Sequence, residues 1–337
     1  MGHLMRTLTL AQAIAREDFD CEFLCRDLPG NNNEKIKKTG FVCHEIKNQH
    51  LRSESSLLPW IKEKTNGTVQ PTILVDNYNV DKAWEVSARS IFDRIITIDD
   101  LADRQFDCDL IINPNLNRST SDYSGLASMS TKILAGPAYA LIRQEFSSKR
   151  DQSILRKLNN KACRRVLIIF GGGNTASIVR QTLLAIPQRV VNGVLFDVVI
   201  GSAVSDSEPL MTEFSKNNTI RFHKDPDSVA DLMFNADLAI SAAGGTVLES
   251  FCMGLPSVIT SIAENQDAIA NWLHGEQLCL YFSLQEPDSL KQCLDTSLEN
   301  PNGLKVLCEK TSALVDGRGR ERVAASIKTL LSQEIGV

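Results

Sequence analysis

The sequence is short of several things, and each shortage removes a class of function. Lys and Arg (36) do not outnumber Asp and Glu (41), and the net charge is −5. No basic stripe interrupts that balance, so nucleic acid is not an expected partner, and an anionic ligand must be held by local donors. No apolar run reaches membrane-spanning length and no signal peptide is visible. No membrane partner is therefore expected, and the expected location is cytoplasmic. The nine cysteines contain no CxxC pair and are scattered, several in apolar runs such as Gln277-Leu278-Cys279-Leu280. They read as reduced core thiols, not as a disulfide frame. No internal repeat or low-complexity segment is visible.

What is present is an apolar content of 43% over 337 residues, enough for two ordinary domains. Short β-rich runs alternate with helical ones. Strands are predicted at 21–25, 40–46, 72–75, 94–98 and 109–112 in the first half. In the second half they fall at 165–170, 196–200, 219–222, 237–241, 257–260 and 277–281. Helices near 4–16, 54–65 and 81–92 separate some of the first set. This alternation implies parallel sheets covered by helices. The polar, basic stretch 147–164 reads as a connector. It divides a domain over 1–146 from one over 165–316, and 317–337 is a C-terminal helix. The expected architecture is α/β, two Rossmann-like domains facing across a cleft.

Candidate chemistry sits where strands end and helices begin. His3 follows Gly2 at the head of an amphipathic helix (Leu4, Leu8, Ala11, Ile14), where free N–H groups and the positive dipole end can meet an anion. Imidazole is suited to proton transfer near neutral pH. Asp76-Asn77-Tyr78 follows a strand. Asp76 can orient a base or sugar hydroxyl with Tyr78 lining the cleft, or it can simply cap the next helix. Gly171-Gly172-Gly173-Asn174 is either a tight turn or a ligand-approach loop. Ala243-Gly244-Gly245-Thr246 heads a helix as phosphate-cradling loops do, and Glu249, one turn on, can accept from ribose hydroxyls. The loop is not a P-loop, because the Gly-Lys-Ser/Thr ending is absent. Asn265 and Gln266 head another helix and can read a base or sugar, or cap. Asp99-Asp100-Leu101-Ala102-Asp103-Arg104 lacks a second acidic cluster, so no metal is expected there. His223 follows a strand and can line the cleft.

Longer stretches carry a resemblance. They are Gly2-His3-Leu4-Met5-Arg6, 25–31, 75–78, 98–104, 107–110, the 136–146 segment with Arg143, the 171–174 loop, 241–249 and 264–266. Together they resemble the UDP-2,4-diacetamido-2,4,6-trideoxy-β-L-altropyranose hydrolases of bacterial pseudaminic acid biosynthesis, which share the MurG-like glycosyltransferase-B fold. The resemblance implies an inverting, metal- and cofactor-free hydrolase that releases UDP and the free sugar. It makes His3 the residue that activates water and places Tyr78, with Asp76, near the sugar. Gly2, Arg6 and Arg143 fall in its motifs among the UDP- or substrate-binding residues. Ala243, Gly244, Gly245, Thr246 and Glu249 match its UDP site, and Asn265 and Gln266 its second-domain cleft. Gly172, Gly173 and Asn174 match its interdomain loop, where the family often has Asp in place of Asn174. The family pattern opens with a strand and a Gly-rich turn ahead of Gly2-His3, so the first domain is expected to lack its N-terminal strand. A monomer acting on a small UDP-sugar is expected. The same loops also suit a MurG-like UDP-sugar glycosyltransferase or a non-catalytic UDP-binding remnant.

Overall fold

A computed structural model describes residues 2–332 except 18, 29, 48–53, 66–70, 172–174, 188–189, 191–192, 202–203 and 205–206. The chain divides into two compact units, His3–Leu141 joined by the segment from Arg318 onward, and Ile142–Gly317.

In the first unit, α1 (Gly2–Ile14) leads to β1 (Glu22–Arg26), α2 (Asn33–Lys38) and β2 (Val42–Ile46). Then follow α3 (Leu58–Lys64), β3 (Thr72–Val75), α4 (Lys82–Ala88), β4 (Arg94–Ile98), β5 (Leu110–Asn113) and β6 (Lys132–Ala135). The strands form two parallel sheets, β1-β2 and β3-β4-β5-β6. Alternation along the strands sorts side chains to two faces. Ile95 and Ile111 join Trp84, Phe92 and Tyr123 on one face. Ile96, Ile98, Leu110 and Ile112 join Leu10 of α1 on the other. Strand β6 was not predicted. It is four residues long, opens with Lys132, and follows a Ser/Thr-rich stretch that reads as loop.

The second unit contains α5 (Gln144–Ser147), α6 (Arg150–Asn159), β7 (Arg165–Ile169), α7 (Ala176–Ala185), β8 (Leu195–Ile200), α8 (Ser207–Phe214), β9 (Ile220–Lys224) and α9 (Val229–Asn235). It continues with β10 (Leu238–Ala242), α10 (Gly245–Cys252), β11 (Ser257–Thr260), α11 (Glu264–Gly275), β12 (Leu280–Tyr281), α12 (Pro287–Glu299) and α13 (Pro301–Leu314). Its six-stranded parallel sheet has the order β12-β11-β10-β7-β8-β9. Strands β7, β8, β10 and β11 are buried along almost their whole length, the Val/Ile-rich signature of a sheet covered on both faces.

The stretch 147–164 is no connector, because α6 packs inside the second unit. Its basic residues bind carbonyls of that unit. Lys157 Nζ donates to Ser153 Oγ at 2.7 Å and to the Met233 carbonyl at 3.1 Å. Arg156 Nη2 donates to the Asn235 carbonyl at 2.8 Å and Arg150 Nη2 to the Ser312 carbonyl at 2.7 Å. Cations suit helix C-terminal carbonyls, so the charge that reads as solvated is spent internally. Burial pushes the Lys157 ammonium down to about 7.

The C-terminal helix expected over 317–337 is present and docks on the first unit. Helix α14 (Gly319–Leu331) buries Val323 and Ile327 against the first unit's sheet, in one cluster with Leu10, Ile98 and Leu134. Gly319 makes that docking possible, since a Cβ there would lie 2.3 Å from the Ala140 carbonyl oxygen. His223 lies within β9, where its Nε2 bonds Asp197 Oδ1 at 2.7 Å. Asp197 is fully buried in β8 and also paired with Arg165. Burial raises its carboxyl, but Arg165 and His223 outweigh burial and hold it below the ordinary carboxylate value. His223 is therefore a hydrogen-bond partner of a buried carboxylate.

Candidate active site

The head of α1 lies against the carboxyl end of β3. Leu8, Leu10 and Ala11 anchor the helix through its buried side, which leaves His3 and Arg6 directed to the end of the sheet. His3 Nδ1 is 2.5 Å from Asp76 Oδ1. Arg6 grips the same carboxylate with two prongs, Nε to Oδ2 at 2.7 Å and Nη2 to Oδ1 at 2.5 Å. Its third nitrogen, Nη1, donates to Asp100 Oδ1 at 2.7 Å. Asp100 also accepts from Tyr78 OH at 2.6 Å and Asn115 Nδ2 at 3.1 Å. The Tyr78 ring meets His3 edge to face, with centroids 4.8 Å apart. Asp76 does not cap the next helix, because Asp81 does so by accepting from the Trp84 N–H at 2.8 Å.

The electrostatics follow from this network. The Asp76 side chain is 6% exposed and that of Arg6 17%. Burial raises both the Asp76 and the Asp100 carboxyls, but hydrogen bonds and charge from Arg6 outweigh it. His3 adds to the pull on Asp76 and Tyr78 to that on Asp100, so both stay below the ordinary carboxylate value. Burial opposes charge on Arg6, and its two carboxylate partners more than restore it. Burial and then the Asp100 acceptor push the Tyr78 phenol up. An ionised carboxylate only accepts, so His3 Nδ1 carries the proton of that bond, and Nε2 is the nitrogen that can take part in proton transfer. His3 and Tyr78 are the two members open to solvent, His3 at 42% of its side chain. A histidine oriented in this way by a carboxylate is the arrangement that general bases use.

Of the residues expected in this unit, Gly2 heads α1 and His3, Asp76 and Tyr78 come together. Arg6 is present too, but its three nitrogens are committed to Asp76 and Asp100. It therefore holds the network together. Asp100 and Asn115 were missed. Asp100 stands in an acidic run far from His3 in sequence, and nothing local signals that the two share Arg6 and Tyr78 as neighbours.

In the second unit, β10 ends at Ala242 and α10 begins at Gly245, with Gly244 as its N-cap. The N–H groups of Gly245 and Thr246 open the first turn, where no intrahelical acceptor reaches them. A Cβ at Gly245 would meet nothing within 4 Å, so packing does not require glycine there. Ala243 is buried and its N–H donates to the Thr260 carbonyl at 2.9 Å, which ties the end of β10 to β11. Gln266 closes the neighbouring loop by accepting from the Ile262 N–H at 3.1 Å, and its Nε2 stands beside Gly244. Arg143 Nε donates to Glu249 Oε1 at 2.9 Å and Nη1 to Glu145 Oε1 at 2.5 Å. Burial pushes the Glu249 carboxyl up against the pull of Arg143. Glu145 was not anticipated. Gly172, Gly173 and Asn174 lie outside the described residues, as does the side chain of Asn265.

Comparisons with known proteins agree with this architecture. Residues 166–319 match the glycosyltransferase family 28 C-terminal domain. The chain is 24% identical over 277 residues to the UDP-2,4-diacetamido-2,4,6-trideoxy-beta-L-altropyranose hydrolase of Campylobacter jejuni, covering 81% of this chain and 90% of that protein. It is 29% identical over 211 residues to the spore coat polysaccharide biosynthesis protein SpsG of Bacillus subtilis, covering 61% of this chain and 60% of SpsG, so less than two thirds of that relative is matched. The structure resembles Acinetobacter baumannii MurG with a TM-score of 0.66 at 16% identity, covering 97% and 96% of the two chains. The fold is thus that of the glycosyltransferase-B class, and no described helix is long and apolar enough to cross a membrane.

Proposed function

We propose that this protein is a nucleotide-sugar hydrolase. Its substrate on this reading is UDP-2,4-diacetamido-2,4,6-trideoxy-β-L-altropyranose, cleaved to UDP and the free 2,4-diacetamido sugar. The observation that carries the reading is the His3–Asp76 pair, with Nδ1 committed to an ionised carboxylate at 2.5 Å. Nε2 takes a proton from water as the water oxygen bonds to the anomeric carbon. The bond from that carbon to the phosphate oxygen breaks, its electron pair leaves with UDP, and attack from the opposite face inverts the centre. Water activation falls to the N-terminal unit. The Gly245 and Thr246 N–H groups at the positive end of α10 stabilise the charge developing on phosphate. Glu249 accepts from the ribose hydroxyls. Similarity to the Campylobacter hydrolase supports this substrate class.

The experiment is UDP release from that substrate with no acceptor and no added metal, compared with His3→Ala. Turnover lost by about 10² to 10⁴ in the variant, with UDP binding retained, is the expected result. UDP binding without turnover, with release only when an acceptor sugar is supplied, would replace water by an acceptor hydroxyl and make the protein a glycosyltransferase.

A further inference from the structure

The loop that leaves the carboxyl end of β5 carries an arginine that the site described above does not use. Asn113 ends the strand and turns the chain by accepting from the Asn115 N–H at 3.1 Å. The Arg118 N–H donates to the Asn115 carbonyl at 3.3 Å and closes the turn. Gly136, just past β6, holds the other side. Its φ is +102°, and a Cβ there would lie 3.0 Å from the Arg118 carbonyl oxygen. The backbone at Arg118 is thus fixed by close contact.

Its guanidinium is not spent on the chain. Half-buried arginines elsewhere in this unit are paired, Arg6 with Asp76 and Asp100, Arg89 with Asp107 and Asp109, Arg104 with Glu85. Arg118 is half-buried too. Among the described residues its Nε is a buried donor that meets no acceptor. The carboxylates nearby are committed. Asp99 accepts from Tyr123 OH and from the Ala102 N–H, both at 2.7 Å. Asp100 accepts from Arg6, Tyr78 and Asn115, and Asp122 accepts from the Ser119 N–H at 2.7 Å. Buried donors left unmet are costly and few in native chains. A guanidinium without a carboxylate is a fork open to a ligand oxygen.

The position of the loop selects the ligand. Strands β3, β4 and β5 are neighbours in one parallel sheet. The end of β5 therefore stands two strand spacings, about 10 Å, from the end of β3 that carries Asp76. Asn115 bonds Asp100, which holds Arg6 and Tyr78, so one polar network runs from this loop to His3. A sugar whose reacting carbon lies at His3 covers that distance with its ring and one substituent arm. We infer that Arg118 recognises an acylamino group of the sugar, its N–H groups donating to the amide carbonyl oxygen. The inference rests on the sugar-nucleotide reading above and adds to it the residue that tells an N-acylated sugar from a plain one. A guanidinium only donates, whereas a hydroxyl both donates and accepts, so the carbonyl is the better match. A charged donor strengthens that bond, and a site built around it rejects a ligand that lacks the acceptor.

The test is calorimetric binding to the full chain in the His3→Ala background, where the sugar nucleotide is not consumed. Forms with Arg118 and with Arg118→Gln are titrated with UDP-2,4-diacetamido-2,4,6-trideoxy-β-L-altropyranose, with UDP-glucose, which has no acyl group, and with UDP. The expected result is that Arg118→Gln binds the diacetamido nucleotide about tenfold or more weakly and binds UDP-glucose and UDP as before. Its melting temperature should hold, because the buried Nε it removes bonds nothing in the chain. No loss for the diacetamido nucleotide, or a loss shared with UDP-glucose or UDP, overturns the inference. So does an Arg118→Gln form that fails to fold or melts several degrees lower, because Arg118 is then a structural group. So does an Arg118 form that binds the diacetamido nucleotide no better than UDP-glucose, since no acyl contact exists to lose. Turnover is not read. A chain that binds through Arg118 yet releases no UDP keeps this inference and loses the hydrolase reading, and UDP release with no effect of Arg118→Gln on binding does the reverse.

Discussion

Replacing Asp76 by Asn tests the active-site reading most directly, because the change keeps the shape of the side chain and removes its acceptor-only character. The carboxylate accepts three bonds, His3 Nδ1 and Arg6 Nη2 on Oδ1 and Arg6 Nε on Oδ2. An amide has one oxygen and one NH₂. With the NH₂ at the Oδ2 position it faces Arg6 Nε, donor against donor, and one charge-assisted bond is lost. With the NH₂ at the Oδ1 position two bonds are lost, and His3 must turn its Nδ1 into an acceptor, which moves the proton to Nε2. A bond to a charged group contributes about 1.5–3 kcal/mol. Breaking a buried ion pair outright costs about 3–5 kcal/mol, an upper bound here because Arg6 keeps Asp100. The expected destabilisation is about 3 kcal/mol. For catalysis, loss of the orienting carboxylate in a serine-protease triad lowers kcat by about 10⁴. His3 is more exposed and less tightly held, so a loss of about 10² to 10³ in kcat is expected, with little change in UDP affinity. The assay pairs UDP release with thermal melting of the same preparation. A variant that melts lower yet keeps kcat within about threefold of the parent would refute the catalytic role and leave Asp76 as a structural partner of Arg6.

Further outcomes follow from the same geometry. Gly245→Ala adds a methyl that touches nothing in the protein, so the melting temperature should hold while UDP affinity, measured by calorimetry, drops about tenfold or more; an unchanged affinity would remove the α10 loop from the nucleotide site. Gly319→Ala places a Cβ 2.3 Å from the Ala140 carbonyl oxygen, and an overpacking cost of about 1–3 kcal/mol should loosen α14 and expose it to limited proteolysis; unaltered proteolysis would contradict the close docking. Asp76 and Asp100 titrate lower in the fold than in the unfolded chain. Their stabilisation is therefore complete above about pH 4 and is lost as pH falls through the depressed folded values. Melting temperature should decline on that acid limb and decline less in Asp76→Asn; identical limbs would show that other groups set the acid sensitivity.

Sequence pattern alone was enough for the strand–helix alternation and the parallel-sheet class, because Val/Ile runs such as 165–169 and 94–98 record burial on two faces through composition. It also marked His3, Asp76, Tyr78 and the 244–246 loop, since each stands where a strand ends or a helix begins. Only the tertiary structure placed Asp100 and Asn115 beside Arg6, 94 residues separating Asp100 from its partner. Only there did α14 return to the first unit and α6 lodge in the second, because Gly319 and Lys157 look like turn and solvent until the carbonyls they meet are known. The split between β1 and β3 likewise belongs to the fold. Local sequence determines whether a segment is a strand, but edge pairing depends on which segments arrive alongside it.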